Sequence, residues 1–374
     1  MKILFITSGS HTTNDRNLNH FQRVYFLSRS MELTILARKG ADFSVSAASG
    51  TQVIRSPWRG KAGLIAYATL LFLSSRARRY DIIVTEPSIL GFLGFLGKLL
   101  GGCRWVVDVW DVPIRCTIAP GRIVSLRCRL TRRVFQMLYR WADLFIMSIL
   151  PDFEMREFMI PRDRMLLLRN AIWLDVSQKA TMCSPQENGF KLLCMRSVYT
   201  PQMGLDTLAE TMLILRKQLP DITLTVIGSL PPHVESEVAP LRGIATVRFL
   251  DFVEHSELTR LIGEASVCIV PFHDVPDLAQ TYPVKIIEYL AQGKPVVASN
   301  IAGISRLLHD GENGLLFKAG DPQDLVAKIA LLYEDAELRT RLSENAARLD
   351  GDFDCRVKNR LIIEALERLA GKLT

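Results

Sequence analysis

Cysteine pairs with the spacing of metal or redox motifs are absent from this sequence. Its seven cysteines are scattered and never form a CxxC, which argues against a zinc site and a disulfide framework and favours a reducing cytoplasm. Long apolar runs are absent too, because no uncharged apolar stretch reaches the length of about 18 residues that a bilayer-spanning helix needs. The N-terminus reads as a first strand and not as a signal peptide. We therefore expect a cytoplasmic protein that is soluble or peripheral to the inner face of the membrane.

Several motifs of nucleotide and metal chemistry are also missing. The sequence contains no Walker loop, no GxGxxG fingerprint and no HExxH. Consequently neither a cofactor nor a metal ion is expected.

Acidic residues are missing from residues 112–142, although seven arginines fall there. Residues 1–175 hold 25 Lys and Arg against 13 Asp and Glu, whereas residues 176–374 hold 21 against 26. Apolar residues alternate with the arginines, which predicts a basic amphipathic helix against an anionic membrane or an anionic acceptor. The arginines assigned to this contact are Arg122, Arg127, Arg129, Arg132 and Arg133. A solvated helix face is the alternative. Nucleic acid is not expected, because no recognised binding motif accompanies the charge.

Short apolar runs alternate with helical patterns in both halves of the chain. This alternation predicts an α/β fold with parallel, doubly wound sheets, and 374 residues exceed one typical core, so two facing Rossmann-like domains are expected. Ligands bind outside the carboxyl ends of such strands, which places the site in a cleft between the domains. The predicted helices include residues 122–141 and 304–308. The predicted boundaries are a first domain at 1–173, a linker at 174–189, a second domain at 190–350 and a last helix at 351–374 that packs back toward the first domain.

The stretch YPVKIIEYLAQGKPVVASN at residues 282–300 places two charges in an apolar run. Wound as a helix, it sets its aliphatic residues on one side and Lys285, Glu288 and Tyr289 on the other. The proline suits a first turn and the glycine after the run suits a C-cap, so Lys285 lies near the positive end of the helix dipole. A cation is disfavoured there unless an anion binds, which indicates a phosphate site with Glu288 one turn deeper for sugar hydroxyls. The alternative is a surface ion pair at i, i+3.

The motifs around that stretch follow a specific order. PxKxxEY is followed by GKPVVAS, an AGI turn, DGENGLLF and GDPxDL, and LTVIGS, VRFLDFV and ASVCIVPF precede it. In this order the chain resembles glycosyltransferase family 4 and its relatives, which are two-domain enzymes of the GT-B fold. The resemblance is strong over residues 190–335 and weaker in the first half, where MKILFITSG and VVDVWDVP carry it. It implies an acceptor-side first domain and a second domain that binds a nucleotide sugar.

The resemblance also implies roles for single residues. Glu288 matches the acidic residue that hydrogen-bonds the ribose, and Lys285 matches a lysine assigned to the diphosphate. Gly9, in the loop after the first strand, lies where the backbone approaches the phosphate or the transferred sugar. The main chain around Phe252 and Val253 is expected to face the base of a UDP- or GDP-linked donor.

Three positions depart from the family pattern. Gln280 stands where many members have a glutamate that contacts the transferred sugar, and Trp110 stands where many have histidine. One cation of the usual basic pair is missing, so Arg196 is a displaced candidate for the phosphate. His273, in a loop after a strand, is a further candidate for a sugar contact.

The resulting hypothesis is a glycosyltransferase for polysaccharide biosynthesis. It moves a sugar from a nucleotide donor to a lipid-linked or growing glycan acceptor at the cytoplasmic membrane face, with retention and without a metal. If the enzyme instead inverts, Asp108 or Asp111 is the candidate base. A catalytically degenerate subunit that partners an active transferase is a further alternative. A nucleotide-sugar epimerase is disfavoured by the motif order.

Overall fold

A computed structural model describes residues 1–8, 19–41, 50–74, 79–88, 90–109, 133–134, 136–148, 160–174, 189–198, 200–279, 282–348 and 351–373. The chain divides into two units. Unit 1 comprises Met1–Trp173 together with Asp354–Thr374, and unit 2 comprises Leu174–Phe353.

Unit 1 is built on a seven-stranded parallel sheet with the order β3-β2-β1-β4-β5-β6-β7. Its strands are β1 (Lys2–Thr7), β2 (Glu32–Ala37), β3 (Gln52–Arg55), β4 (Ile82–Thr85), β5 (Arg104–Val109), β6 (Leu144–Met147) and β7 (Met165–Leu167). Its helices are α1 (Asn19–Ser30), α2 (Gly60–Leu73), α3 (Gly91–Gly101) and, from the end of the chain, Cys355–Leu369, which is α11 below. Since the central strands are aliphatic and buried on both faces, helices must cover both sides of the sheet.

The two faces of this sheet have separate apolar cores. On one face, Ile362 and Leu366 of α11 pack with Ile3, Phe5 and Phe21. On the other face, aliphatic residues of α2 and α3 pack against β1, β2 and β4. The C-terminal helix is therefore part of the core of unit 1.

Unit 2 is built on a six-stranded parallel sheet with the order β10-β9-β8-β11-β12-β13. Its strands are β8 (Phe190–Val198), β9 (Ile222–Ser229), β10 (Val247–Leu250), β11 (Val267–Val270), β12 (Val296–Ser299) and β13 (Leu315–Phe317). Its helices are α4 (Leu205–Gln218), α5 (Glu235–Arg242), α6 (His255–Glu264), α7 (Pro276–Ala279), α8 (Val284–Ala291), α9 (Pro322–Glu334) and α10 (Ala336–Ala346). The buried centre of the sheet is β8, whose register shifts between Met195 and Val198, at its carboxyl end.

The predicted fold class of two Rossmann-like, doubly wound domains is confirmed by these two sheets. The helix expected at 304–308 is wrong, because this segment forms consecutive turns. The amides of Ile304 and Ser305 both donate to the carbonyl of Ile301, and those of Leu307 and Leu308 both donate to that of Ile304. Such shared acceptors close single turns and do not propagate a helical ladder. Among the described helices, none has the length and apolar character that crossing a bilayer requires.

Candidate functional site

Helix α8 begins one residue after the proline that was expected in its first turn, and the predicted glycine follows its end. Pro283 precedes it with a φ of −67°, and Gly293 follows it with a φ of 62°, a left-handed conformation that favours glycine. Ile286, Ile287 and Leu290 are buried and fix the rotation of the helix. The opposite side of the helix therefore has a defined orientation toward the strands of unit 2.

Two side chains of α8 hold the carboxyl end of β8. The Lys285 ammonium donates to the carbonyl of Met195 at 2.5 Å, and the Met195 amide donates to the Tyr289 hydroxyl at 3.1 Å. Tyr289 is fully buried, so its assignment to the polar face of the helix is wrong. The ring fills the core while its hydroxyl satisfies the strand end, which a tyrosine can do because only its tip is polar.

Two cations converge on the ring of Phe272, which follows β11. The Lys285 Nζ lies 5.1 Å from the ring centroid and the Arg196 Cζ lies 5.2 Å from it. Burial and then the charge of Arg196 hold the pKa of Lys285 well below its usual value, and the nearby Glu288 offsets part of this. Two positive charges held close together repel each other, and an anion that binds between or beside them relieves this repulsion. The arrangement is therefore complementary to phosphate.

The loop before α4 packs closely against the end of β11. Gly204 has a φ of 72°, and a Cβ on it would lie 1.6 Å from the carbonyl oxygen of Pro271, so no other residue fits. The amide of His273 donates to the carbonyl of Gln202 at 3.0 Å. These contacts bring the amino end of α4 to the carboxyl ends of β8 and β11, where ligands bind in open α/β sheets.

His273 pairs with Asp206 in the first turn of α4. The ring Nε2 lies 2.8 Å from the Asp206 carboxylate, and this hydrogen bond raises the pKa of His273. Burial alone would raise the pKa of Asp206, but the bonds from His273 and the Thr207 amide lower it below its usual value. The imidazole thus keeps its positive charge to a higher pH than a free histidine does.

Comparison with known proteins assigns this site to a family. The sequence profile of the family "Glycosyl transferases group 1" matches residues 189–335. The resemblance inferred from the sequence is confirmed, and the segment that matches this family carries Arg196, Phe272, Lys285 and Glu288.

The relatives are glycosyltransferases as well. The chain is 29% identical to the amylovoran biosynthesis glycosyltransferase AmsK of Erwinia amylovora over 46% of its own length. It is 23% identical to the phosphatidyl-myo-inositol mannosyltransferase of Mycobacterium leprae over 92% of its length and 90% of the relative. The matched part spans 43% of AmsK and 33% and 42% of two further curated relatives, which is less than half of each. The relatives therefore support a transferase, as the sequence predicted.

The solved structures define the fold class further. HepE from Anabaena, in complex with UDP-glucose, matches with a TM-score of 0.74 at 19% identity, covering 98% of this chain and 100% of that one. At this identity the match shows the fold alone. The fold is that of the glycosyltransferases, so the predicted GT-B class is confirmed.

The predicted donor-binding residues fall into two groups within unit 2. Arg196, Lys285 and Glu288 lie together at the ends of β8 and α8, with Glu288 partly exposed one turn after Lys285. Phe252 and Val253 lie in the loop after the edge strand β10, separated from β8 by β9. Phe252 is exposed, and its role toward a base stays a prediction.

Seven further predicted residues lie outside the described part of the chain. They are Gly9, Asp111, Arg122, Arg127, Arg129, Arg132 and Gln280. Their assigned roles stay predictions, as does most of the predicted helix at 122–141. Arg133 is described and exposed.

Asp108, the second candidate base, is buried in unit 1. Arg23 donates to its two carboxylate oxygens at 2.8 and 3.1 Å, and the exposed fractions of the two side chains are 1% and 0%. A general base must reach the hydroxyl that it deprotonates. The geometry therefore favours a structural role for Asp108 and argues against its role as a base.

Some residues of the site were missed in the sequence. The sequence placed Tyr289 on the side of Lys285, as the i, i+4 spacing requires, but it did not predict the contact of its hydroxyl with β8. Phe272 lies two residues after β11, and no local pattern indicates that two cations lie against its ring. The pair of Asp206 and His273 joins residues far apart in the sequence, and no local pattern predicts it.

Proposed function

We propose that this chain is a glycosyltransferase that transfers a sugar from a nucleotide-diphosphate donor. The observation that carries the proposal is the pair of cations, Lys285 and Arg196, around Phe272 at the end of β8. This pair lies within the segment that matches the group 1 family, and Glu288 lies one turn further along the same helix. A diphosphate bound to the two cations and a ribose bound to the Glu288 carboxylate fit this spacing.

Departure of the nucleotide diphosphate is the step that the site assists. When the glycosidic bond to phosphate breaks, negative charge grows on the leaving oxygen. Lys285 is already fixed by its bond to the Met195 carbonyl, so little reorganisation is needed to stabilise that charge. We propose that the two cations and the amino-terminal amides of α8 provide this stabilisation without a metal ion, and that the transfer retains the anomeric configuration.

Nucleotide binding provides the direct test of the proposal. Thermal unfolding is measured with UDP, GDP and CMP and with sugars linked to them. HepE carries UDP-glucose, which makes uridine the first base to test. Stabilisation by one nucleotide class is expected, and a chain that responds to none of them would instead be a non-catalytic subunit of the same fold.

Replacing Glu288 with alanine is expected to weaken nucleotide binding about 10- to 150-fold, because a hydrogen bond to a charged group is worth about 1.5–3 kcal/mol. Isothermal titration with the nucleotide selected above measures the loss. Glu210→Ala, which removes an exposed carboxylate on α4, serves as the matched control and should leave the affinity unchanged. Equal affinities for the two variants would remove Glu288 from the site.

For the acceptor, we propose a lipid-linked or growing glycan at a membrane surface. Unit 1 exposes large apolar side chains on neighbouring segments, with Leu73 of α2 65% and Leu99 of α3 67% exposed. α2 packs against α3, and Lys98 of α3 donates to the Trp141 carbonyl at 2.8 Å, which places the exposed Trp141 beside them. We define this apolar surface by the residues Leu70, Leu73, Leu99, Leu100, Met137 and Trp141. The basic side chains of Arg133 and Arg104 are exposed on nearby parts of unit 1.

Vesicle sedimentation tests the membrane proposal. Binding is expected to vesicles that contain phosphatidylglycerol and to weaken in 0.5 M salt, since salt at this level screens charges beyond about 4–5 Å. Leu73→Ser together with Leu99→Ser should reduce binding several-fold, whereas Val357→Ser with Leu361→Ser, which are also apolar and exposed but lie on α11, should not. Binding that depends neither on the charge of the lipid nor on Leu73 and Leu99 would contradict the proposal.

A further inference from the structure

The carboxylate of Glu86 is buried at the end of β4 and holds the residues that end β1. The residue is 9% exposed. Its Oε1 accepts hydrogen bonds from the Thr7 hydroxyl and from the Ser8 amide, the latter at 3.1 Å, and its Oε2 accepts from the Ser8 hydroxyl at 3.0 Å. Thr7 is the last residue of β1, and Ser8 begins the connection to α1.

This carboxylate lies where the order of strands in unit 1 reverses. β1 and β4 are neighbours, with β2 and β3 beyond β1 and with β5, β6 and β7 beyond β4. Glu86 and Ser8 both follow the carboxyl ends of these two strands. In open α/β sheets ligands bind at such a reversal, outside the carboxyl ends of the strands. The position is thus a binding edge of unit 1.

The fold alone does not require a charge at this position. Burial raises the pKa of Glu86, and the bonds from Thr7 and Ser8 and the more distant Lys61 offset only part of that effect. A carboxyl group whose pKa is raised on folding stabilises the fold when protonated, and this contribution is lost as the pH rises through the folded-state pKa. Ionisation of Glu86 therefore costs folding free energy, which a neutral glutamine of the same shape would avoid.

The charge has one specific consequence for Ser8. An ionised carboxylate only accepts hydrogen bonds, so the Ser8 hydroxyl must give its proton to Oε2. Among the described residues none donates to the serine oxygen, so its lone pairs can accept a hydrogen bond from a ligand. An amide nitrogen in place of Oε2 would donate instead, and the proton of Ser8 would turn outward. Glu86 thus determines whether the Ser8 hydroxyl accepts a hydrogen bond from a ligand or donates one to it.

We propose that Glu86 is a positioning residue that fixes Ser8 as the acceptor of a hydrogen bond from a sugar hydroxyl. The proposal rests on the proposed glycosyl transfer and adds a hydroxyl-binding position within unit 1. Glu86 itself acts through Ser8.

The test compares Glu86→Gln, Ser8→Ala and the double variant with the wild-type chain. Nucleotide release is measured with UDP-glucose, UDP-galactose, UDP-N-acetylglucosamine and GDP-mannose, with and without a bacterial lipid extract as acceptor. Glu86→Gln is expected to lower kcat/KM about 5- to 150-fold while its melting temperature at pH 7 stays equal or rises. The affinity for free nucleotide, bound in unit 2, should not change. The double variant should be no worse than either single variant, because both remove the same interaction.

The pH profile distinguishes positioning from a structural role. Wild-type kcat/KM should fall on acidification as Glu86 is protonated, and this acidic limb should be missing in Glu86→Gln. A loss in the reaction without lipid extract assigns the hydroxyl to the donor sugar, and a loss only with the extract assigns it to the acceptor. Glu32→Gln, an exposed carboxylate of β2, is the control that should match the wild type.

Two results would overturn the inference. One is activity of Glu86→Gln within twofold of the wild type. The other is a parallel loss of activity and melting temperature, which would make Glu86 a structural residue. If the wild-type chain releases nucleotide from none of the four donors, the proposed function itself is contradicted. This outcome differs from a failure of the Glu86 proposal because it is seen in the wild type and not only in the variants.

Discussion

Replacing Lys285 with methionine is expected to weaken nucleotide binding strongly while the ligand-free protein stays as stable as the wild type or becomes more stable. The ammonium is desolvated, and Arg196 shares the same ring with it, so burial and like charge both disfavour the protonated form. A base whose pKa is lowered on folding costs stability below its unfolded pKa of about 10.4, and methionine removes this cost. The lost bond to the Met195 carbonyl offsets part of the gain, by about 1 kcal/mol.

The loss of binding should be much larger than the change in stability. Removing one cation from a buried site for an anion costs about 2–5 kcal/mol, which is about 30- to 5,000-fold in affinity. Titration calorimetry and thermal unfolding of the same preparation measure the two effects together. Lys217→Met, which replaces an exposed lysine of α4, is the control for charge alone. Affinity within threefold of the wild type would show that the phosphate binds elsewhere.

The sequence predicted the helix of this site better than its surroundings. The period of apolar residues in α8 set its rotation, and the flanking proline and glycine set its ends, because these are local properties of the chain. Tyr289 was misassigned because a helical wheel treats a tyrosine hydroxyl as surface, although a strand end within the core can bond it. Arg196 came from the family resemblance and not from any local pattern.

The parts of the fold that the sequence did not predict have a similar explanation. The long buried strands were predicted because aliphatic runs between helices define a parallel sheet. β3 and β7, edge strands of four and three residues with exposed or half-buried side chains, were not predicted. Glu86 was missed too. A single glutamate after a short strand looks exposed in sequence, and only the pairing of β1 with β4 shows that Thr7 and Ser8 enclose it.

The buried pair of Arg23 and Asp108 is expected to have the largest effect on stability. It joins α1 to β5, and Arg23 also donates to the Asn359 side chain of α11 at 2.9 Å. Arg23→Met leaves the Asp108 carboxylate buried without its two hydrogen bonds, which should destabilise unit 1 by about 3–5 kcal/mol. The buried ammonium of Lys358 does not restore both bonds, because it is already directed at the Ser148 hydroxyl at 3.3 Å.

A second substitution distinguishes this structural role from catalysis. Arg23→Met combined with Asp108→Leu removes both charges, and replacing a buried ion pair by apolar residues is often neutral, so most of the lost stability should return. Urea unfolding, followed by probes in each unit because two units need not unfold in one step, measures the difference. Arg104→Met, which breaks the exposed pair with Asp143, should cost less than about 1 kcal/mol. If the double variant is folded and still releases nucleotide from its donor, Asp108 is structural; if it is folded and inactive, Asp108 acts in the reaction despite its burial.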